Sequence, residues 1–321
     1  MSQEPAQLVF VGGTGRSGTH ILSHLLDRHS RFHGVPIECR FHCNPKGLAD
    51  VVTGAADPER FLTKLRGYWW HRVRVGDRAL VRARWRALGR GRVRGLHTIM
   101  DRDRFEAAVS RFEANHGSDL IGASRDLFYD LLQPLADEAG KPALVEMSCF
   151  TIAAAEGLAK IFGEARFVHS VRDGRDSGSS KVALRQKPHH PTDVVSGIEF
   201  WADRLRQAEE GVRALDEADR ARLHVTSLDD LVWGERDAAY AELLGFLGVA
   251  DEPAMREFFE EEMNADAAHR ERWREGLDEA AQAEITRVYE ATLDRLEREG
   301  YHCAPALRRS YERTLTPGLR G

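Results

Sequence analysis

The sequence predicts an α/β fold: a P-loop-like parallel sheet of about five strands flanked by helices, with one Arg-rich helical insertion. Three observations point there. Short runs rich in β-branched and aromatic residues alternate with longer helical patterns. A glycine-rich turn joins the first of those runs to a helix. No repeat or low-complexity linker divides the 321 residues. A chain of this length buries a sizeable core. A single domain over residues 1–321 is therefore expected, with the insertion at 55–115.

Strands are expected at Leu8–Val11, Val35–Glu38, Ala143–Met147, Phe167–Val171 and Leu223–Thr226. After the first comes the glycine turn and then Thr19–Arg28, where Ile21, Leu22, Leu25 and Leu26 recur at helical spacing. Ile285, Val288, Leu293 and Leu296 do the same amid the charges of Glu279–Glu299, which reads as a surface helix. The insertion is unusual in composition. Arg60–Met100 carries twelve Lys/Arg against one acid, Asp77, with Tyr68, Trp69, Trp70 and Trp85 interspersed. Asp251–Glu262 reverses the bias, with six acids and one Arg. Two readings stand: an Arg-rich helical lid whose charges are solvated or pair with the acidic segment, and a surface for an anionic ligand.

Composition narrows the function classes. A hydrophobic fraction of 42% and a charged fraction of 30% are those of a soluble globular protein. A net charge of −5 gives no sign of commitment to nucleic acid. The apolar run Leu8–Val11 is too short for a signal peptide or a membrane span. Cys39, Cys43, Cys149 and Cys303 are too few for a disulfide framework, so a reduced, cytoplasmic protein is expected.

The stretch from Leu8 to Leu22 places a glycine-rich turn between a strand and a helix. Glycines let the backbone approach an anion, and the free N–H groups of the helix start point at it. Gly13 and Gly18 have Walker-type spacing, but Thr19-His20 stands where Lys-Ser/Thr is required. Gly13-x-Gly15-x-x-Gly18 also fits a dinucleotide loop, with Glu38 twenty residues beyond as a ribose-binding acid, so an NADP-dependent oxidoreductase is one reading. Against it, no tyrosine is followed four residues later by lysine. Arg16, inside the loop, can reach a transferred anionic group, for which a dinucleotide loop has no need. In the second constellation, Ala165–Ser180, Arg172 closes a strand and Ser180 lies eight residues later in a helix. A planar guanidinium and a hydroxyl in that arrangement suit a phosphate.

Gly13-Thr-Gly-Arg-Ser-Gly-Thr19 resembles the 5′-phosphosulfate loop of sulfotransferases that use 3′-phosphoadenosine 5′-phosphosulfate (PAPS), in the arginine form of tyrosylprotein sulfotransferases and many bacterial relatives. Val171-Arg-Asp-Gly-Arg175 is similar to that family's 3′-phosphate motif, and Ser227–Val232, Phe246–Val249 and Arg272–Leu277 match it more weakly. The resemblance implies sulfuryl transfer from PAPS to a hydroxyl acceptor: a small molecule, glycan or peptide, anionic if the basic insertion serves it. It implies that Gly15, Arg16, Ser17, Gly18, Thr19 and His20 hold the donor's 5′ side. Arg172 and Ser180 would hold the 3′-phosphate, and Arg272 would sit in a loop folded over the nucleotide. Glu38 is the implied general base and Arg16 the charge stabiliser. No metal is expected, because the transferred group carries a single negative charge and cationic side chains suffice.

Rivals remain for the base: His20, His42 and Glu146. A zinc reading of Cys39, His42 and Cys43 with His33 lacks a second ligand pair. His189-His190 either lines the acceptor pocket or sits in an exposed loop. Val145-Glu-Met-Ser148 departs from the family by lacking a lysine, which leaves Arg16 or an arginine of the insertion to supply that charge. Outside the enzyme class, the alternative is a nucleotide-binding module without turnover. Acceptor identity and oligomeric state stay open.

Overall fold

The computed structural model describes residues 7–71, 95–184 and 190–315. Strand β1 (Leu8–Gly13) runs into α1 (Thr19–Asp27) and β2 (Phe32–Gly34). Helices α2 (Leu48–Val52), α3 (Pro58–Lys64), α4 (Arg102–Asn115) and α5 (Leu120–Glu138) precede β3 (Ala143–Glu146). Then come α6 (Ala155–Ile161), β4 (Arg166–Val171), α7 (Gly174–Ala183), α8 (Val194–Arg213), α9 (Glu217–Arg220) and β5 (Leu223–Ser227). The chain continues through α10 (Leu228–Val232), α11 (Arg236–Leu247), α12 (Pro253–Glu262), α13 (Glu279–Arg298) and α14 (Ala304–Leu315).

The five strands are all parallel, in the order β2-β3-β1-β4-β5. A central parallel strand is covered on both faces and reads as an unbroken apolar run, and β1 is fully buried from end to end. Leu8 and Phe10 face one side, where Phe10 packs against Phe128, Phe162 and Phe167. Val9 and Val11 face the other, against Leu22, Leu25 and Leu26 of α1.

Three expectations change. The second strand is Phe32–Gly34, not Val35–Glu38. Val35 still donates to the Val145 carbonyl (2.9 Å), but the pairing goes no further and Glu38 lies in the following loop. The helix expected at Glu279–Glu299 forms but is only half a surface helix, since Ile285, Tyr289, Leu293 and Leu296 are buried. The described flanks of the insertion are helical, but Trp69 and Trp70 are core residues rather than a binding surface. Arg66 pairs with Glu106 and Glu113 of α4. In the acidic segment, Asp251 accepts from Tyr240 and Arg256, and Glu252 accepts from Ser30, so these charges are met outside the insertion. Residues 72–94, with Trp85 and most of the arginines, lie outside the described set, as does His189. Among the described residues, no helix is long and apolar enough to cross a membrane.

Candidate active site

Sheet order brings the two motifs together. β1 and β4 are neighbours, with Gly13 registered against Ser170, so the glycine loop and Arg172 leave adjacent strands at the same carboxyl edge. Open parallel sheets bind ligands at that edge, where the strand order reverses around β1. In the loop, Gly15 (φ 75°), Arg16 (φ 68°) and Gly18 (φ 89°) all have positive φ. Glycine takes that conformation freely, but an arginine there is strained and held by its surroundings. A side chain at Gly13 would run into the Ser17 hydroxyl and the Ser170 carbonyl. Gly18 caps α1 without a side-chain hydrogen bond, leaving the first-turn N–H groups of α1 to a ligand.

A cavity of about 360 Å³ opens on this edge, lined by Arg16, Gly18, Thr19, His20, Arg172, Ser180 and Arg272 among others. Seven of the nine residues expected to hold the donor thus converge. The other two do not line it. Ser17 is buried behind the loop, where its carbonyl accepts from Ser170 (2.5 Å), and Gly15 faces a second cavity. Arg16 Nε donates to Ser180 Oγ (2.8 Å). The buried Arg172 guanidinium donates to the carbonyls of Ala268 (2.5 Å) and His269 (3.3 Å), while its Nε has no partner among the described residues. Ala267, Ala268, His269 and Arg272 thus wall the cavity in a loop tied down by the Glu271 N–H bond to Asp176 (2.9 Å) and by Arg270 over Trp233 (3.5 Å).

Asp176 is the unexpected group here. It is buried 3.8 Å from Arg172, with one oxygen unpartnered among the described residues. Burial and the charge of Asp173, against the pull of Arg172, push its pKa up to about 7. Asp229 is raised to about 6 by burial and the same Asp173. Asp173 itself is held low against burial by Arg175.

On the other face of the loop, a cavity of about 250 Å³ is lined by Gly13, Gly15, Arg40, Cys149, Lys181 and Arg204 among others. Glu38 borders it through its partners: it is ion-paired with Arg40 and accepts from Cys149 Sγ (3.0 Å). The Gly13 N–H bond to the Cys149 carbonyl (3.1 Å) brings Cys149 to the loop. Burial first, then the adjacent Glu38, push the Cys149 thiol well up, so it is present as S–H. Burial works against the Arg40 cation, but Glu38 outweighs it and raises its pKa.

Glu146 and His42, the buried rivals for the base, are engaged with each other. Glu146 accepts from the N–H groups of Cys39 (3.1 Å) and Ser148 (2.9 Å) and from Ser148 Oγ (2.6 Å), and it is ion-paired with His42 at 2.9 Å. Both side chains are fully buried. Burial works against the Glu146 charge, yet His42 and Ser148 hold its pKa below the ordinary value. Burial likewise opposes the imidazolium, but Cys43 and Glu146 lift His42 to about 10. Glu146 is a positioning residue: it ties the Glu38–Arg40 loop to the end of β3. His42 thus interacts with Cys43 as well as with Glu146. Among the described residues, the group whose ligand atoms gather within 4.8 Å is His169, His302 and Cys303, and there His169 Nδ1 already bonds His302 Nε2 (2.8 Å). His20 is exposed and faces the first cavity, away from Glu38's partners. His190 lines the second.

The cations near the missing lysine come from neither Arg16 nor the described insertion. Arg40, Lys181 and Arg204 were not singled out from the sequence. The usable signals were the Glu38-x-Arg40 spacing, Lys181 directly after Ser180, and Phe200 with Arg204 one turn apart on α8.

The sequence profile described as "Sulfotransferase family" matches residues 8–253. The chain belongs to the sulfotransferase family, and its reaction class is sulfuryl transfer. This sets aside the dinucleotide reading of the glycine loop and Glu38. No curated protein sequence matches. The chain is similar to the sulfotransferase domain of the olefin synthase of Synechococcus PCC 7002, with 16% identity, TM-score 0.48, and 91% of this chain and 96% of that one covered. It is also similar to sulfotransferase STF9 of Mycobacterium avium, with 16% identity, TM-score 0.44, and coverage of 91% and 77%. A sulfotransferase of Alicyclobacillus acidocaldarius matches with 16% identity, TM-score 0.37, and coverage of 85% and 99%.

Proposed function

We propose that the protein transfers a sulfuryl group from PAPS to a hydroxyl acceptor, with the donor in the cavity of about 360 Å³ and the acceptor in that of about 250 Å³. The carrying observation is the β1–β4 pairing, which gathers Arg16, Arg172, Ser180 and Arg272 on one cavity beside an open helix start. The residues fit the donor: a buried guanidinium with an unpartnered Nε suits a phosphate, and the lining side chains of Arg16, Thr19, His20, Ser180 and Arg272 add further hydrogen-bond donors for anionic oxygens. Arg172 and Ser180 hold the 3′-phosphate, and Arg16 with the α1 N-terminus holds the 5′ side. When bound, PAPS supplies an electrophilic sulfur and a phosphate leaving group.

The chain's residues then do three things. Glu38 accepts the proton of the acceptor hydroxyl. Arg16 and Arg40 stabilise negative charge on opposite sides of the loop, with Arg40 taking the place of the absent family lysine. The loop at 267–272 covers the nucleotide. These cations carry the charge stabilisation, so turnover needs no divalent metal.

Incubating the protein with PAPS and a panel of hydroxyl acceptors in EDTA tests this. The expected products are sulfated acceptor and 3′-phosphoadenosine 5′-phosphate (PAP). Tight PAP binding with no transfer to any acceptor would instead make the chain a nucleotide-binding module. Loss of turnover in EDTA with rescue by magnesium would contradict the metal-free part.

A further inference from the structure

The acceptor cavity has a charge imbalance. Among its described lining residues are three cations, Arg40, Lys181 and Arg204, and no carboxylate. Arg40 is balanced by Glu38. Arg204 is not balanced: among the described residues, no carboxylate lies within ion-pair distance of it. Its Nη1 donates to a neutral amide, Gln207 Oε1 (2.9 Å), while its neighbour Asp203 is engaged by Arg206.

Arg204 is also held in place. Its guanidinium lies over the rings of Phe150 (4.7 Å) and Phe200 (5.0 Å), and the Lys181 ammonium lies over Phe200 at 4.9 Å. Two cations sharing one aromatic ring at the wall of a half-enclosed cavity raise the local positive potential, which low-dielectric walls focus. Burial pulls the Arg204 pKa below its ordinary value, outweighing the attraction of the nearby Asp203 carboxylate. Phe200 and Arg204 sit one turn apart on α8, which presents both rigidly.

We infer that the acceptor carries an oxyanion beside the hydroxyl to be sulfated, and that Arg204, supported by Lys181, is the residue that selects it. This rests on the donor and acceptor reading above. The cavity of about 250 Å³ holds a single ring or short chain, with the oxyanion at Arg204 and the hydroxyl towards Gly15, Arg40 and the partners of Glu38. A carboxylate and a phosphate share the recognised chemistry, namely planar or forked acceptance from a guanidinium.

The test is calorimetric titration of the PAP-loaded protein with matched pairs: glucuronic acid against glucose, glucose 6-phosphate against glucose, and 4-hydroxyphenylpropionate against its amide. At least one anionic member should bind at least tenfold more tightly than its neutral partner, and the excess should shrink with rising salt. Arg204→Gln should abolish that difference while leaving the Kd for PAP unchanged, which also reports that the variant is folded. Lys181→Gln should narrow it. The carboxylate and phosphate arms tell which oxyanion is preferred. Equal binding of all pairs, no binding of any anionic member, or a preference that survives Arg204→Gln would each overturn the inference while normal PAP binding leaves the donor reading standing. Failure of PAP itself to bind would bring down the donor reading instead.

Discussion

Each face of the glycine loop has a buried carboxylate, and the two titrate in opposite directions. On the acceptor face, Glu146 is surrounded by two N–H groups, a hydroxyl and His42, and stays ionised with its pKa below the ordinary value. On the nucleotide face, Asp176 has one N–H donor, a guanidinium at 3.8 Å and two acidic neighbours, and its pKa rises to about 7. Burial opposes the charge in both. What differs is the number of donors turned towards each carboxylate, and this separates a permanent structural anion from one that changes charge near neutrality. The face proposed for the acceptor holds Glu38 and Arg40 in a fixed place. The face proposed for the nucleotide gathers cations, and Asp176 works against negative charge there when ionised.

Changing Glu38 has the largest expected effect. Glu38→Gln should lower kcat by about 10²–10⁴-fold at neutral pH, the worth of a positioned base, with little change in PAP affinity. A variant with near-normal kcat would remove Glu38 from the mechanism.

Glu146→Ala should cost about 3–5 kcal/mol in urea denaturation, because it strands a buried His42 charge and releases the Cys39 N–H. The pair also sets a pH range. A carboxylate with a lowered folded pKa stabilises above its unfolded pKa, and this is lost as pH falls through the folded value. An imidazole raised to about 10 stabilises fully below about 6.5, and this is lost as pH rises through about 10. The wild-type advantage over Glu146→Ala should therefore be largest between about pH 4.5 and 6.5 and decline towards both extremes. A difference independent of pH would mean that the pair is not charged.

Arg172→Ala should weaken PAP binding by about 10–100-fold, the loss of charge-assisted hydrogen bonds worth about 1.5–3 kcal/mol. Asp176→Asn should have the smallest effect. As pH rises through about 7, Asp176 ionises beside Arg172, and wild-type PAP affinity should fall by up to about tenfold between pH 6 and 8. The asparagine variant should flatten that profile while its amide oxygen still accepts from Glu271. The same sign holds for stability: a raised carboxyl contributes below its unfolded pKa, and the contribution is lost as pH rises through about 7. An unchanged profile in the variant would assign the titration to another group.

What the sequence made legible follows from what is local. β1, β3, β4 and β5 are fully or partly buried strands and read as apolar, β-branched runs. The second strand is displaced because Val35-Pro-Ile reads as apolar while the pairing with β3 ends at Val35. The residues proposed to hold the donor are legible because loop and motif each occupy one short stretch, and only their meeting needs the β1–β4 register. The acceptor face was hardly legible. Arg40, Cys149, Lys181 and Arg204 come from four separate segments, and short-range signals such as Glu38-x-Arg40 or Phe200 with Arg204 do not tell that the segments meet on one cavity. Glu146 read as a rival base because its sequence neighbours do not reveal Cys39 and His42 folding onto it.

Calorimetric titration with PAP, beside 5′-AMP, on the wild type and Arg172→Ala tests the donor assignment most directly. Micromolar PAP binding, much tighter than AMP and weakened about 10–100-fold in the variant, is the predicted result, since only PAP carries the 3′-phosphate assigned to Arg172. Equal affinity for PAP and AMP, or a wild-type affinity retained in Arg172→Ala, would contradict the assignment of that cavity to the donor.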